Sequence, residues 1–318
     1  MAGRSRPSSK AQKIAAALIL AVVLLASFFV TYGRQLDLGV NLPAWKQIHA
    51  VLGLNDAFDS LGDHPVSVHF LDVGQGDSTL IVSGGNAVLI DGGEREMAET
   101  ILSYLYNLGV KKLDCVVVTH PHSDHIGGLI GVLEQIPVGQ VIIPRLTEEN
   151  MPTTRVYEDL LRAISASGAK VFAAEPGDEY SHGLIHYTIL APLVQDGNLN
   201  NMSVVLRMEY ETHSFLFMGD AEKAAEYKIL ESEAQVTAEV IKVGHHGSST
   251  SSGEVFLKQV DPEYAVISCG ENNTYGHPHE EILKRYASFG ATVFRTDENG
   301  TIVFGLNTDD MKIYLQKE

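Results

Sequence analysis

From Thr119 to His125 the chain reads Thr-His-Pro-His-Ser-Asp-His, directly after the apolar run Leu-Asp-Cys-Val-Val-Val. Three imidazoles and a carboxylate within six residues, at the end of an expected strand, do not form a packing pattern. Alternation along an extended chain points His120 and His122 the same way, toward one metal ion. A turn then lets Asp124 and His125 reach a second. Nitrogen and oxygen ligands without thiolate suit zinc, manganese or iron.

Two later segments offer further ligands. His-Ser-Phe-Leu-Phe-Met-Gly-Asp places Asp220 at a second strand end, where its two oxygens could bridge two cations or its side chain could cap the helix that follows. Glu-Val-Ile-Lys-Val-Gly leads into His245-His246-Gly247-Ser248-Ser249, which could supply one ligand and one proton donor. Consecutive side chains leaving a strand diverge, so the two rings are not expected to serve one ion. His277, in Tyr-Gly-His-Pro, reads equally as a catalytic donor or as a ring that stabilises its loop. Asp72, Gln75 and Asp77 sit around the Gly74 and Gly76 turn. Asp72 and Asp77 are expected to bond turn amides or metal-loop residues, with Asp77 the better candidate for a supporting role.

The elements that must position these groups follow from periodicity. Val-Ser-Val-His-Phe-Leu-Asp-Val, Ser-Thr-Leu-Ile-Val-Ser and Asn-Ala-Val-Leu-Ile-Asp-Gly-Gly read as three strands with glycine turns between the later ones. Met97–Gly109 reads as a helix stopped by glycine, and Ile126-Gly127-Gly128 opens another. The second half repeats the style, and strands outnumber helices. Such a pattern packs as sheets covered by helices, an α+β arrangement, not a bundle or a pure sandwich.

Composition narrows the function. The 318 residues are 45% apolar, enough for a full core, and two cysteines exclude a disulfide scaffold or a cysteine-rich zinc module. Residues 1–34 hold five basic and no acidic side chains, and the whole chain is −17, so residues 35–318 carry −22. That balance argues against a general polyanion-binding surface, because phosphate affinity needs lysine and arginine. Any phosphate chemistry must come from a local site with its own positive charge. Ile14–Gly33 is twenty residues without a charge, the length of a membrane-spanning helix, behind four basic residues. The expected organisation is a basic cytoplasmic tail and anchor over 1–33, a linker or short amphipathic helix over 34–63, and a catalytic domain over 64–318 held outside the cell membrane. The alternative for the first segment is a cleaved secretory signal. No feature points to a stable protein partner.

The order Asp91, His120-x-His122-x-Asp124-His125, Asp220, His246 resembles the metallo-β-lactamase superfamily. His69–Ser78 (HFLDVGQGDS), Asn200–Leu206 (NNMSVVL), Phe217–Asp220 (FMGD), Lys242–Ser249 (KVGHHGSS) and Tyr275–Pro278 (YGHP) are more closely similar to the C-terminal domain of ComEC-type DNA-uptake proteins. They are also similar to secreted phosphodiesterases such as phosphorylcholine esterases. The resemblance covers about residues 65–317. It implies a four-layer αβ/βα sandwich with two divalent ions, zinc or manganese, in a cleft. His120 and His122 would hold the first ion; Asp124, His125 and His246 the second; Asp220 would bridge them, and Asp91 would orient a ligand histidine. Many members place a third histidine for the first ion where this chain has Asn200, Asn201 and Ser203, so that shell is implied to be weaker, completed by an asparagine oxygen, or open to water. The activity implied is phosphodiester hydrolysis by a metal-activated hydroxide near Asp124, with His245 and His277 as donors. The substrate would be DNA or a small or wall-linked phosphodiester; a non-enzymatic binding descendant is the remaining alternative. ComEC-type proteins have many membrane spans and this chain shows one, so the resemblance extends to the hydrolytic domain and not to transport.

Overall fold

The computed structural model describes residues 64–194 and 196–317. The basic tail, the expected transmembrane helix and the linker over 34–63 lie outside them. Among the described residues no helix is long and apolar enough to cross a membrane.

Six strands come first: β1 Val66–Phe70, β2 Thr79–Ser83, β3 Asn86–Ile90, β4 Leu113–Val117, β5 Val138–Pro144 and β6 Lys170–Ala174. Seven follow: β7 Glu179–His182, β8 Ile185–Ala191, β9 Val205–Tyr210, β10 His213–Phe217, β11 Val240–Lys242, β12 Tyr264–Ile267 and β13 Thr292–Arg295. The chain then returns to the first group with β14 Ile302–Leu306 and β15 Met311–Leu315. One sheet has the order β15-β14-β1-β2-β3-β4-β5-β6 and the other β13-β12-β11-β10-β9-β8-β7. Each sheet mixes hairpins with parallel strands: β3 to β6 are parallel in the first, and β10 to β13 in the second.

Alternation along the strands sorts side chains into three apolar layers. Val66, Val68, Phe70, Ile81, Val88, Ile90, Cys115 and Val117 face Leu206, Met208, Phe215, Phe217, Val240 and Val266 across the sheet-to-sheet interface. The intervening residues Leu80, Leu89 and Val116 face outward, under helices α1 (Ala98–Asn107), α2 (Ser123–Gln135) and α3 (Arg155–Ser167). Leu216, Ile241 and Ile267 do the same on the second sheet under α4 (Lys223–Glu231), α5 (Glu254–Val260) and α6 (Glu280–Ser288). Strands buried on both faces explain the continuous apolar runs in the sequence. The result is the four-layer αβ/βα arrangement expected.

Three local differences matter. Helix α2 begins at Ser123, not Ile126, so Asp124 and His125 lie in its first turn instead of in a free loop. Asp220 does not cap the following helix: α4 begins at Lys223 behind Glu222. Strand β7 and a last short helix, α7 (Thr296–Asn299), were not legible, being polar and four residues long each.

Candidate metal centre

The site lies where parallel strands of both sheets end. β3 delivers Asp91, β4 delivers Thr119 to His125, β10 delivers Asp220 and β11 delivers His245 and His246. Two turns fasten the ligand loop. Asp91 takes a left-handed conformation (φ 57°) and donates its amide to Val117 O, which turns its carboxylate beneath the loop. Its oxygens accept from Thr119 N (2.8 Å), Thr119 Oγ1 (2.6 Å) and His125 Nδ1 (2.8 Å). The second turn holds Gly76 at φ 135°, where a Cβ would stand 2.3 Å from Asp124 O, and the Asp77 amide donates to that same oxygen. Only glycine permits this approach.

Asp220, 2% exposed, sits at the centre. Its Oδ1 lies 3.2 Å from His125 Nε2 and 3.6 Å from His246 Nε2, and the latter is 3.2 Å from Asp124 Oδ2. Asp124, His125, His246 and Oδ1 form an inner subsite. Its Oδ2 lies 3.5 Å from His120 Nε2 and 3.8 Å from His245 Nε2, and His120 Nε2 is 2.9 Å from His122 Nδ1. These groups border an outer subsite that opens into a cavity of about 430 Å³. Gln75, His122, Asp124, Val156, Tyr275 and His277 are among its walls.

The donor set fits metal ions. His125 Nε2, His246 Nε2 and Asp220 Oδ1 are buried and make no hydrogen bond, although they face one another. A cation would satisfy all three, which protein groups do not. The opposite ring nitrogens are held as ligand histidines usually are: His125 donates to Asp91, and His246 Nδ1 donates to Ser268 O (2.9 Å).

Electrostatics tie the groups together. Burial pushes His120 and His122 below the ordinary imidazole value, His120 far below, leaving neutral rings. Burial acts the same way on His125 and His246, but carboxylates outweigh it. Asp220 and Asp91 hold His125 well above its usual value, and Asp220 and Asp77 raise His246 to about 10. Burial would raise Asp220, yet His125, His246 and His120 keep it well below the usual carboxylate range. Asp124 falls likewise, with His125 and His246 outweighing its burial. Cations would take the place of the protons these rings otherwise hold.

Behind the inner subsite lies a group the sequence reading passed over. Lys242, 3% exposed, sets its Nζ 2.6 Å from Asp77 Oδ2, and Asp77 Oδ1 is 3.2 Å from His246 Nδ1. Burial raises Asp77, but Lys242 and His246 bring it down to about 2. Asp77 thus stands behind His246, and its partner comes from the opposite sheet. The signal was present, since a lysine within a buried strand needs a partner. Asp72 accepts from the Gly74 amide and meets Lys317, away from the ligands.

The remaining candidates lie on the outer side. Asn200 Nδ2 donates to Glu222 Oε1 (3.3 Å) and approaches His245 Nε2 (3.5 Å); Asn201 donates to Asp196, and Ser203 Oγ accepts the Asp220 amide. His277 Nδ1 is buried without a partner, and its ring is stacked with that of Tyr275 (centroids 5.7 Å apart). Burial and its neighbours His246, His245 and His279 lower His277 to about 4.

The rings of His245 and His246 do not diverge as a strand would have them. Both residues are left-handed, with φ 50° and 52°, and the turn brings both Nε2 atoms to the Asp220 carboxylate, one near each oxygen. Divergence of the rings presumes extended backbone, which this turn does not have.

Paired mixed sheets, outer helices and a histidine–aspartate centre at the strand ends define a metal-dependent hydrolase fold. The metallo-β-lactamase superfamily matches residues 71–271, and the chain belongs to that superfamily. Its sequence is 33% identical over 256 residues to ComE operon protein 3 of Bacillus subtilis, covering 74% of this chain and 32% of that protein. It is 32% identical over 263 residues to Recombination protein 2 of Haemophilus influenzae (80% and 31%) and 30% identical over 277 to Competence protein ComA of Neisseria gonorrhoeae (86% and 37%). The match thus spans about a third of the length of these curated relatives. Among solved structures, CmlA, a diiron beta-hydroxylase from Streptomyces venezuelae, superposes with a TM-score of 0.53 at 14% identity, covering 76% of this chain and 54% of CmlA. Igni18, a metallo hydrolase from Ignicoccus hospitalis, superposes with a TM-score of 0.50 at 17% identity, covering 76% of this chain and all of that one. These two likenesses concern the fold alone.

Proposed function

We propose that this chain is a metal-dependent phosphodiesterase acting on nucleic acid, held outside the cell membrane by its Ile14–Gly33 segment. The observation that carries the reading is the Asp220 carboxylate with imidazoles near both oxygens, at the floor of an open cavity. His120, His122 and Asp220 would hold one divalent ion, zinc or manganese, and Asp124, His125, His246 and Asp220 the other. Two such ions neutralise charge at phosphorus and acidify water. That supplies the local positive charge an acidic body otherwise lacks. Asp124 closes the cavity side of the inner subsite and would orient the attacking water. His277, neutral at physiological pH and unpartnered at Nδ1, would donate to a phosphoryl or leaving oxygen. The names of the relatives, concerned with competence and recombination, favour DNA as the substrate.

A second reading has its own support. The −22 carried by residues 35–318 disfavours a long polyanion and favours a small or wall-linked phosphodiester. The purified full chain, loaded with manganese or zinc, should be assayed on single-stranded DNA and on bis(p-nitrophenyl) phosphate. Chelator-sensitive cleavage of both is expected; cleavage of the small diester alone selects the second reading. A metal-loaded protein inert toward both would refute phosphodiester chemistry. Protease added to intact cells should digest the catalytic body, and full protection before lysis would exclude the external location.

A further inference from the structure

His245 stands at the outer subsite, on the face of Asp220 opposite His246. Nitrogen and oxygen ligands bind a cation at about 2.0–2.2 Å, so neighbours in one shell stand roughly 3–4 Å apart. His245 Nε2 lies 3.8 Å from Asp220 Oδ2, the oxygen that His120 Nε2 approaches at 3.5 Å. That is too far for a hydrogen bond to the carboxylate and within the spacing of two ligands on one ion.

The surroundings fix which nitrogen faces the site. His245 Nδ1 is 3.0 Å from Thr250 Oγ1 and 3.3 Å from Glu222 Oε1. A proton on Nδ1 gives Glu222 its natural donor and leaves the Nε2 lone pair toward Asp220. Asn200 Nδ2, 3.5 Å from Nε2, approaches on the side where an acceptor belongs. Without a cation, that lone pair faces a carboxylate oxygen and takes a long 3.5 Å contact from Asn200 Nδ2. His125 and His246 have the same arrangement, with Nδ1 held by Asp91 and by Ser268 O and Nε2 toward Asp220.

The backbone makes the placement possible at a cost. Two successive residues with side chains in the left-handed region are strained and persist only where surrounding structure imposes them. Here the His245 amide donates to Gly219 O beside Asp220, and Ser251 Oγ donates to Gly244 O. The turn is thus tied to the strand end that carries the bridging carboxylate.

Resting on the reading of the site as a two-metal centre, we infer that His245 is a metal ligand that completes the outer subsite. It supplies the imidazole that Asn200, Asn201 and Ser203 do not offer on that side, and it is not the proton donor to substrate. The outer ion would then be held by His120, His122, His245 and Asp220 Oδ2.

The full-length chain is tested by equilibrium dialysis with manganese and by optical spectroscopy with cobalt, neither of which reads activity. Wild type should bind two manganese ions with a spin-coupled magnetic resonance signal. His245→Ala should bind one and lose the coupling. His245→Cys loaded with cobalt should gain a near-ultraviolet sulfur-to-metal charge-transfer band that wild type, with only Cys115 and Cys269, lacks. Two ions retained at unchanged affinity in His245→Ala, or two cobalt ions without the band in His245→Cys, would overturn the assignment and leave the two-metal reading standing. A wild-type chain that binds fewer than two ions would remove the two-metal reading, and this inference with it. Melting of each metal-free variant against metal-free wild type separates ligand loss from misfolding.

Discussion

The two subsites share one carboxylate and differ in how they are built. Around Asp220 Oδ1 each imidazole is braced from behind: His125 by Asp91, His246 by Ser268 and Asp77, and Asp77 in turn by Lys242 from the opposite sheet. Around Oδ2 His120 is buried, but His122 and His245 line the cavity, and His245 depends on a strained turn and on partners at the surface. The inner subsite is fixed by buried charge pairs linking the sheets, the outer one by loop conformation. Exchange of ions and access of substrate should therefore belong to the outer side, while binding in the inner subsite should be coupled to folding.

The most disruptive test removes what the two share. Asp220→Ala should release both ions and take hydrolysis to background, since neither cation keeps a bridging oxygen; metal content and turnover report this together. One ion retained at wild-type affinity would mean that the carboxylate serves a single subsite. Lys242→Met comes next and should strike only the inner side. It leaves Asp77 buried with a charge no longer matched from the opposite sheet, a loss of about 3–5 kcal/mol for such pairs. Urea unfolding measures it, and an unchanged midpoint would show that the pair does not link the sheets. His277→Ala probes the cavity wall. Both ions should stay bound while turnover falls ~10²–10³-fold, the usual worth of one positioned donor to developing charge.

The same contrast decides what could be read from the sequence. Continuous apolar runs revealed nearly every strand because both sheets are covered on both faces. The histidine and aspartate cluster of His120–His125 was legible from residue type and spacing alone. Asp220 was found because a lone acid ends an apolar run. What escaped was set by φ angles and by contacts between distant segments. Nothing in Val-Gly-His-His-Gly says that two successive histidines are left-handed, so their convergence on Asp220 was invisible. Lys242 and Asp77 are 165 positions apart in the chain, and only the facing of the two sheets pairs them. The helix start at Ser123 was misplaced because polar ligand residues occupy its first turn.

The smallest expected effect concerns the brace behind the outer turn. Glu226, on α4, accepts the Ser252 amide at Oε1 (2.5 Å) and the Gly253 amide at Oε2 (2.8 Å), closing the segment that follows His245 and His246. Burial raises its pKa to about 7, against the Gly253 and Ser252 amides and the charges of Lys223 and Arg285; Tyr286, also buried nearby, stays neutral far above that pH. The folded value thus lies above the unfolded one, near 4.5. The folded state holds the proton more tightly, so this contribution to stability is full below pH 4.5 and is lost as pH rises through 7. Between pH 6 and pH 8 the loss from this group amounts to about 1 kcal/mol. Glu226→Gln cannot ionise and should remove that part of the slope, at the cost of a constant offset for the acceptor it lacks. Unfolding of metal-loaded wild type and variant at the two pH values gives the difference directly, because other titrating groups cancel between them. If the two slopes agree, Glu226 is ionised throughout, and the turn that carries His245 is held by a permanent carboxylate clamp instead of one that protonates near neutrality.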